Sequence, residues 1–72
     1  MKIMRLEEVM ACTGLGRSSI YKLMADDAFP KSVPLVNRSV GWVCHEVEGW
    51  IKDRIDERDR RLAGEEEGRM HA

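Results

Sequence analysis

The feature that most constrains this chain is the corner Thr13-Gly14-Leu15-Gly16, which separates two apolar stripes of helical spacing. Leu6, Val9 and Met10 recur at i, i+3 and i+4 before the corner, and Ile20, Leu23 and Met24 repeat the spacing after it. Each stretch therefore predicts a short helix with one buried face, the first from about 6 to 12. Gly14 ends that helix, because a residue without Cβ adopts positive φ at no steric cost, and Leu15 is left to fill the angle between the helices. The second helix covers about 17–26 and must finish before Phe29-Pro30, where proline forces extended backbone on its predecessor. Around this helix Ile20, Leu23 and Met24 share one side, Ser18, Lys22 and Ala25 lie opposite, and Ser19 and Tyr21 flank them. Its outward face is short, polar and free of acids.

From residue 31 the period changes. Val33-Pro34-Leu35-Val36 and Val40-Gly41-Trp42 read as two short strands around Asn37-Arg38-Ser39. Asn37 suits a turn, and Pro34 confines its strand to a sheet edge. Val47, Trp50, Ile51 and Ile55 then return to helical spacing, and Glu46 and Glu48 early with Lys52 and Arg54 late match the helix dipole. Val43 and Cys44 are poor N-caps, so the first residue of this third helix is left open. Trp42 and Trp50 both lie on apolar stripes and are expected to be mostly buried and close together. Beyond Ile55 the pattern becomes a charged run. Residues 61–72 contain Gly64, three consecutive glutamates and Gly68, and read as a disordered, charged tail behind a domain spanning 1–60.

A chain of 72 residues makes one domain, with a core supplying roughly 3 to 5 kcal/mol and little room for an enclosed catalytic site. No apolar run approaches the ~20 residues needed to cross a bilayer, and the start lacks a long apolar stretch, so the expectation is a cytoplasmic protein without a membrane partner. Thiols stay reduced there, which makes Cys12 and Cys44 half-buried core residues rather than a disulfide. Cys12, Cys44, His45 and His71 lack the paired spacing of a zinc site, and the adjacent Cys44 and His45 side chains point apart on any regular backbone. Gly14-Leu15-Gly16 lacks the lysine-serine ending of a phosphate loop. No enzyme, metal, cofactor or small-molecule substrate is predicted. The net charge of −1 argues against a nucleic-acid partner until its placement is considered. Residues 13–42 carry four bases against two acids, whereas 56–72 carry four bases against six acids.

Two short helices at a glycine corner, a hairpin and a third helix form the order of a winged helix-turn-helix, a mainly α fold with a small β-hairpin wing. A DNA major groove about 12 Å wide admits one helix, the preceding helix braces it, and the hairpin reaches neighbouring phosphates or the minor groove. Arg5-Leu6, Glu8-Val9, Thr13-Gly14-Leu15, Arg17-Ser18-Ser19-Ile20-Tyr21, Phe29-Pro30-Lys31, Val40-Gly41-Trp42 and Glu46-Val47-Glu48-Gly49-Trp50-Ile51 resemble the AlpA family of prophage regulators over residues 3 to 55. The departures are Gly16 in place of a capping serine and Cys44-His45 ahead of the third helix. The resemblance implies a DNA-binding transcriptional regulator without a catalytic site, related in fold to excisionases and to the DNA-binding halves of MerR-type activators. It places Arg17, Ser18, Ser19, Tyr21 and Lys22 on the recognition helix, about 17–26, and Arg38 on the wing, 33–42. Lys31 and Asn37 complete the candidate set. The expected partner is double-stranded DNA, with a second copy or an integrase or other regulator as possible protein partners. The alternatives are an excisionase-like architectural factor and a protein-interaction module built on Ile51, Ile55 and Leu62 of the third helix.

Overall fold

The computed structural model describes the backbone of residues 1–70 and side chains through residue 64. In chain order it contains β1 (Ile3–Met4), α1 (Leu6–Thr13), α2 (Arg17–Ala25), β2 (Val33–Pro34), β3 (Val40–Val43) and α3 (Cys44–Met70). The fold is mainly helical, with one small antiparallel sheet in the order β1-β3-β2. The apolar stripes converge as their spacing requires: Val9 of α1, Ile20 of α2, Trp42 of β3 and Val47 of α3 are fully buried, with Met4 and Phe29 beside them. Among the described residues no helix is long and apolar enough to cross a membrane.

The glycine corner is built as its composition demands. Gly14 sits at φ +73°, and its N–H donates to the Met10 carbonyl at 2.8 Å. The Thr13 hydroxyl donates to the Val9 carbonyl at 2.8 Å and accepts the Leu15 N–H at 3.2 Å, so Leu15 is aimed onto the core. The far end of α2 closes without glycine. Asp27 takes φ +56°, its N–H reaches Met24 at 3.1 Å, and the Ala28 N–H reaches Leu23 at 2.7 Å, which is a Schellman closure. Lys31 supports this left-handed aspartate: its ammonium pairs with Asp27 at 2.9 Å and donates to the Met24 carbonyl. The hydrogen bond from Lys31 to the Asp27 carboxylate, with the positive charge of the ammonium, holds the Asp27 carboxyl pKa below its ordinary value.

Strand β1 has no counterpart in the sequence expectation. It pairs Ile3 with Val43 and Met4 with Trp42, making β3 the central strand and covering the Trp42 indole. Gly41 is the position this arrangement cannot fill. A Cβ there would overlap Ile3 Cγ2 and come within 3.1 Å of the Met4 carbonyl oxygen and 3.2 Å of Leu35 Cδ1. Gly41→Ala should therefore force β1 and the Leu35 side chain outward and cost about 1 to 2 kcal/mol, read as a lower urea midpoint at unchanged slope. An unchanged midpoint would mean that β1 does not stay paired.

Both tryptophans clamp the loop after α2. The Trp42 Nε1–H donates to the Pro30 carbonyl at 3.1 Å, and the Trp50 Nε1–H donates to the Ala28 carbonyl at 2.7 Å. Both are mostly buried as expected, Trp42 completely and Trp50 less so. Trp50 has the Phe29 ring edge-on at 4.9 Å and the Arg54 guanidinium 5.4 Å from its ring centre.

One of the two cysteines differs from expectation. Cys12 is exposed, at the edge of the Leu6-Val9-Met10 stripe of α1, while Cys44 is half-buried as expected; both are free thiols. The Cys44 thiol donates to Glu48 Oε1 at 3.1 Å, and that bond, with burial and the carboxylate charge, raises its pKa. Thiol-specific alkylation near pH 8 should modify Cys12 several-fold faster than Cys44, since the thiolate is the nucleophile and access adds to the difference. Peptide mapping of the labelled chain checks this, and equal rates would contradict the Cys44–Glu48 bond.

A disordered tail is expected from residue 61, and the structure draws α3 on to Met70. The apolar period does stop near Ile55, but charge pairs carry the helix on. Lys52 meets Asp56 at 3.6 Å, Arg54 meets Glu57 at 3.3 Å, and Arg61 meets Glu57 at 3.4 Å, at i+3 or i+4 spacings that support a solvated helix. Residues 71 and 72 of that expectation lie outside the described residues.

Candidate nucleic-acid interface

The fully buried Ile20 fixes the rotation of α2, which leaves Arg17, Ser18, Ser19, Tyr21 and Lys22 exposed. Arg17 and Tyr21, and likewise Ser18 and Lys22, stand at i and i+4, one above the other on the helix. Tyr21 is 39% exposed, and its ring meets Trp42 edge-on at 6.3 Å, so the core braces an aromatic side chain that still reaches solvent.

The ion pairs divide the bases into two groups. Among the described residues Arg5, Arg17, Lys22 and Arg38 take part in no ion pair, whereas Lys52, Arg54, Arg58 and Arg61 of α3 each contact a carboxylate; Arg60 is the exception there. Arg17 and Lys22 of α2 and Arg38 of the hairpin therefore present positive charge without an ion pair among the described residues, while α3 largely neutralises its own. A net charge of −1 conceals this separation.

The remaining candidates divide as well. Lys31 is engaged within the chain, by Asp27 and by the carbonyl at the end of α2. Asn37 and Arg38 occupy the hairpin turn at φ +54° and +64°, and the Ser39 N–H donates to the Val36 carbonyl at 3.1 Å across it. Two successive left-handed residues suit a tight hairpin, but they favour asparagine and glycine. Asn37 meets that preference and Arg38 does not. An exposed arginine without an ion pair among the described residues thus holds a conformation that costs about 1 to 3 kcal/mol in a non-glycine residue. Sequence reasoning missed Arg5. It is exposed at the N-cap of α1, where its N–H donates to Glu8 Oε1 at 3.3 Å, and a base directly before a predicted helix start was the available signal.

The sequence also matches a family model, that of the prophage CP4-57 regulatory protein (AlpA), over residues 2–55, a span from β1 through the first turns of α3. The chain belongs to the AlpA family. Among its relatives, the uncharacterized protein ORF88 of Enterobacteria phage P4 is 41% identical over 59 residues, covering 82% of this chain and 67% of that protein. The DNA-binding transcriptional activator AlpA of Escherichia coli K12 is 36% identical over 59 residues, covering 74% of this chain and 84% of that protein. The AlpA match includes the glycine corner, α2, the hairpin and both tryptophans, and stops where the apolar stripe of α3 ends.

Proposed function

We propose that this chain binds double-stranded DNA sequence-specifically as a prophage-type transcriptional regulator, with α2 in the major groove and the hairpin 33–42 as the wing of a winged helix-turn-helix. The observation that carries this reading is the acid-free, exposed face of α2, where Arg17 and Lys22 have no ion pair among the described residues while the bases of α3 are largely paired. The buried Ile20 and the Gly14 corner hold that face clear of α1, so a single helix projects its side chains as groove entry requires. Ser18, Ser19 and Tyr21 supply hydrogen-bonding groups between the two bases. Arg38 lies at the hairpin tip, and Arg5 is a further phosphate contact at the start of α1. Lys31 is left to its structural role, and Asn37 shapes the turn. Membership of the AlpA family and the activator among its relatives support the same reading.

Selection of bound duplexes from a random DNA pool should enrich one sequence motif. Affinity for that motif should fall steeply with salt, with a log–log slope of about −3 to −5, near −0.9 for each phosphate neutralised by the few unpaired bases. A flat salt response, or a pool that stays random, would overturn the proposal.

A further inference from the structure

An open groove of about 1070 Å³ runs between the loop 27–33 and the flank of α3. Phe29, Pro30, Val33, Val43 and Trp50 give it an apolar floor. None of the contacts proposed for DNA on α2 or at the hairpin tip lines it. Gly49 forms part of its wall, and a Cβ there would meet nothing within 4 Å. A glycine inside a helix lowers helix stability relative to alanine, and nothing among the described residues fills the space it leaves. The missing side chain keeps the wall beside Trp50 low, open to a group from outside.

The charges at the rim indicate what that group is. The bases there are paired in place: Lys31 with Asp27, Lys52 with Asp56 and Arg54 with Glu57. Glu46 and Asp53 also line the groove, are exposed, and form no ion pair among the described residues. They stand one turn before and one turn after Gly49, on the same helix face. The groove thus joins an apolar floor to an uncompensated negative edge. We infer that it docks a basic peptide segment of a second protein, seating one large apolar side chain against Trp50 and Pro30 with flanking lysine or arginine toward Glu46 and Asp53. The unpaired bases of the chain's own α2 and hairpin belong to the proposed DNA face, which argues for a different protein rather than a second copy. This inference goes beyond DNA binding, and only its choice of a different protein over a second copy rests on that reading.

The test presents a library of random short peptides to the full chain, free of DNA, with counter-selection on Gly49→Leu. Leucine is the better helix former, so this variant keeps the fold while filling the groove. Enriched peptides should combine lysine or arginine with a large apolar residue, and their binding should be lost on Gly49→Leu. The double variant Glu46→Gln/Asp53→Asn should weaken a selected peptide about five- to tenfold, the combined effect of two exposed charge pairs. Circular dichroism and DNA affinity of both variants should match the parent, so that failure of the DNA reading would show in a separate assay. Acidic or uncharged peptides, binding indifferent to Gly49→Leu, or no enrichment would overturn the inference. Self-association abolished by Gly49→Leu would assign the groove to a second copy and overturn it too.

Discussion

Replacing Trp42 with alanine is expected to leave the chain largely unfolded at room temperature. The indole is completely buried at the centre of β3, paired across the sheet with Met4, met edge-on by Tyr21, and hydrogen-bonded to the Pro30 carbonyl. Its removal opens a cavity where all three helices and the sheet meet, and strips the carbonyl of its partner. Such a truncation costs about 3 to 5 kcal/mol, comparable with the whole stability of a domain this small. The helical circular dichroism signal should collapse, and no cooperative urea transition should remain. Trp50→Ala is the informative comparison. Trp50 is less completely buried and its ring lies partly along solvent, so its loss should lower the urea midpoint yet leave a transition that can be measured. Equal damage from the two substitutions would show that α3 is anchored mainly through Trp50, contrary to the burial pattern.

What the sequence made legible followed from residues with one dominant preference. Gly14 could serve at positive φ without cost, and the stripes on either side gave α1, α2 and their shared face. Asn37 marked the turn for the same kind of reason. The misses have physical causes too. A two-residue strand such as Ile3–Met4 carries no periodicity, and it exists because β3 offers it an edge forty residues later in the chain. Trp50 is mostly buried but less covered than Trp42, because the groove beside the loop 27–33 leaves one side of it open. The apolar pattern fades at Ile55 while α3 runs on to Met70, since helix propensity and i,i+4 charge pairs act independently of that pattern.

The candidate site was legible to a different degree on each element. The face of α2 could be drawn from angles alone, since Ile20 fixes its rotation. The division between paired and unpaired bases could not, because it depends on which carboxylates the folded chain brings within reach. Lys31 shows this most clearly. In the sequence it is a base beside the hairpin, whereas in the fold it closes the end of α2 against Asp27.

Arg17 and Arg38 should fail in different ways if α2 reads bases and the hairpin grips the backbone or the minor groove. Arg17 opens α2, where side chains reach base edges, and Arg17→Ala should cost roughly 1 to 3 kcal/mol on the selected duplex while affecting a scrambled duplex far less. Arg38 stands at φ +64°, which glycine adopts freely. Arg38→Gly should therefore raise folding stability by about 0.5 to 1 kcal/mol, since relief of the left-handed strain exceeds the entropy glycine adds to the unfolded chain. The same variant should weaken binding to both duplexes about equally and make the salt slope shallower by about one. Greater stability with weaker binding is an outcome that a purely structural arginine does not produce. Measuring both variants on both duplexes at two salt concentrations, with urea melts alongside, tests the division of roles. If Arg17→Ala stays folded and binds both duplexes as well as the parent, α2 does not read DNA. If Arg38→Gly gains stability without losing affinity, the arginine is tolerated at the turn for a reason unrelated to DNA.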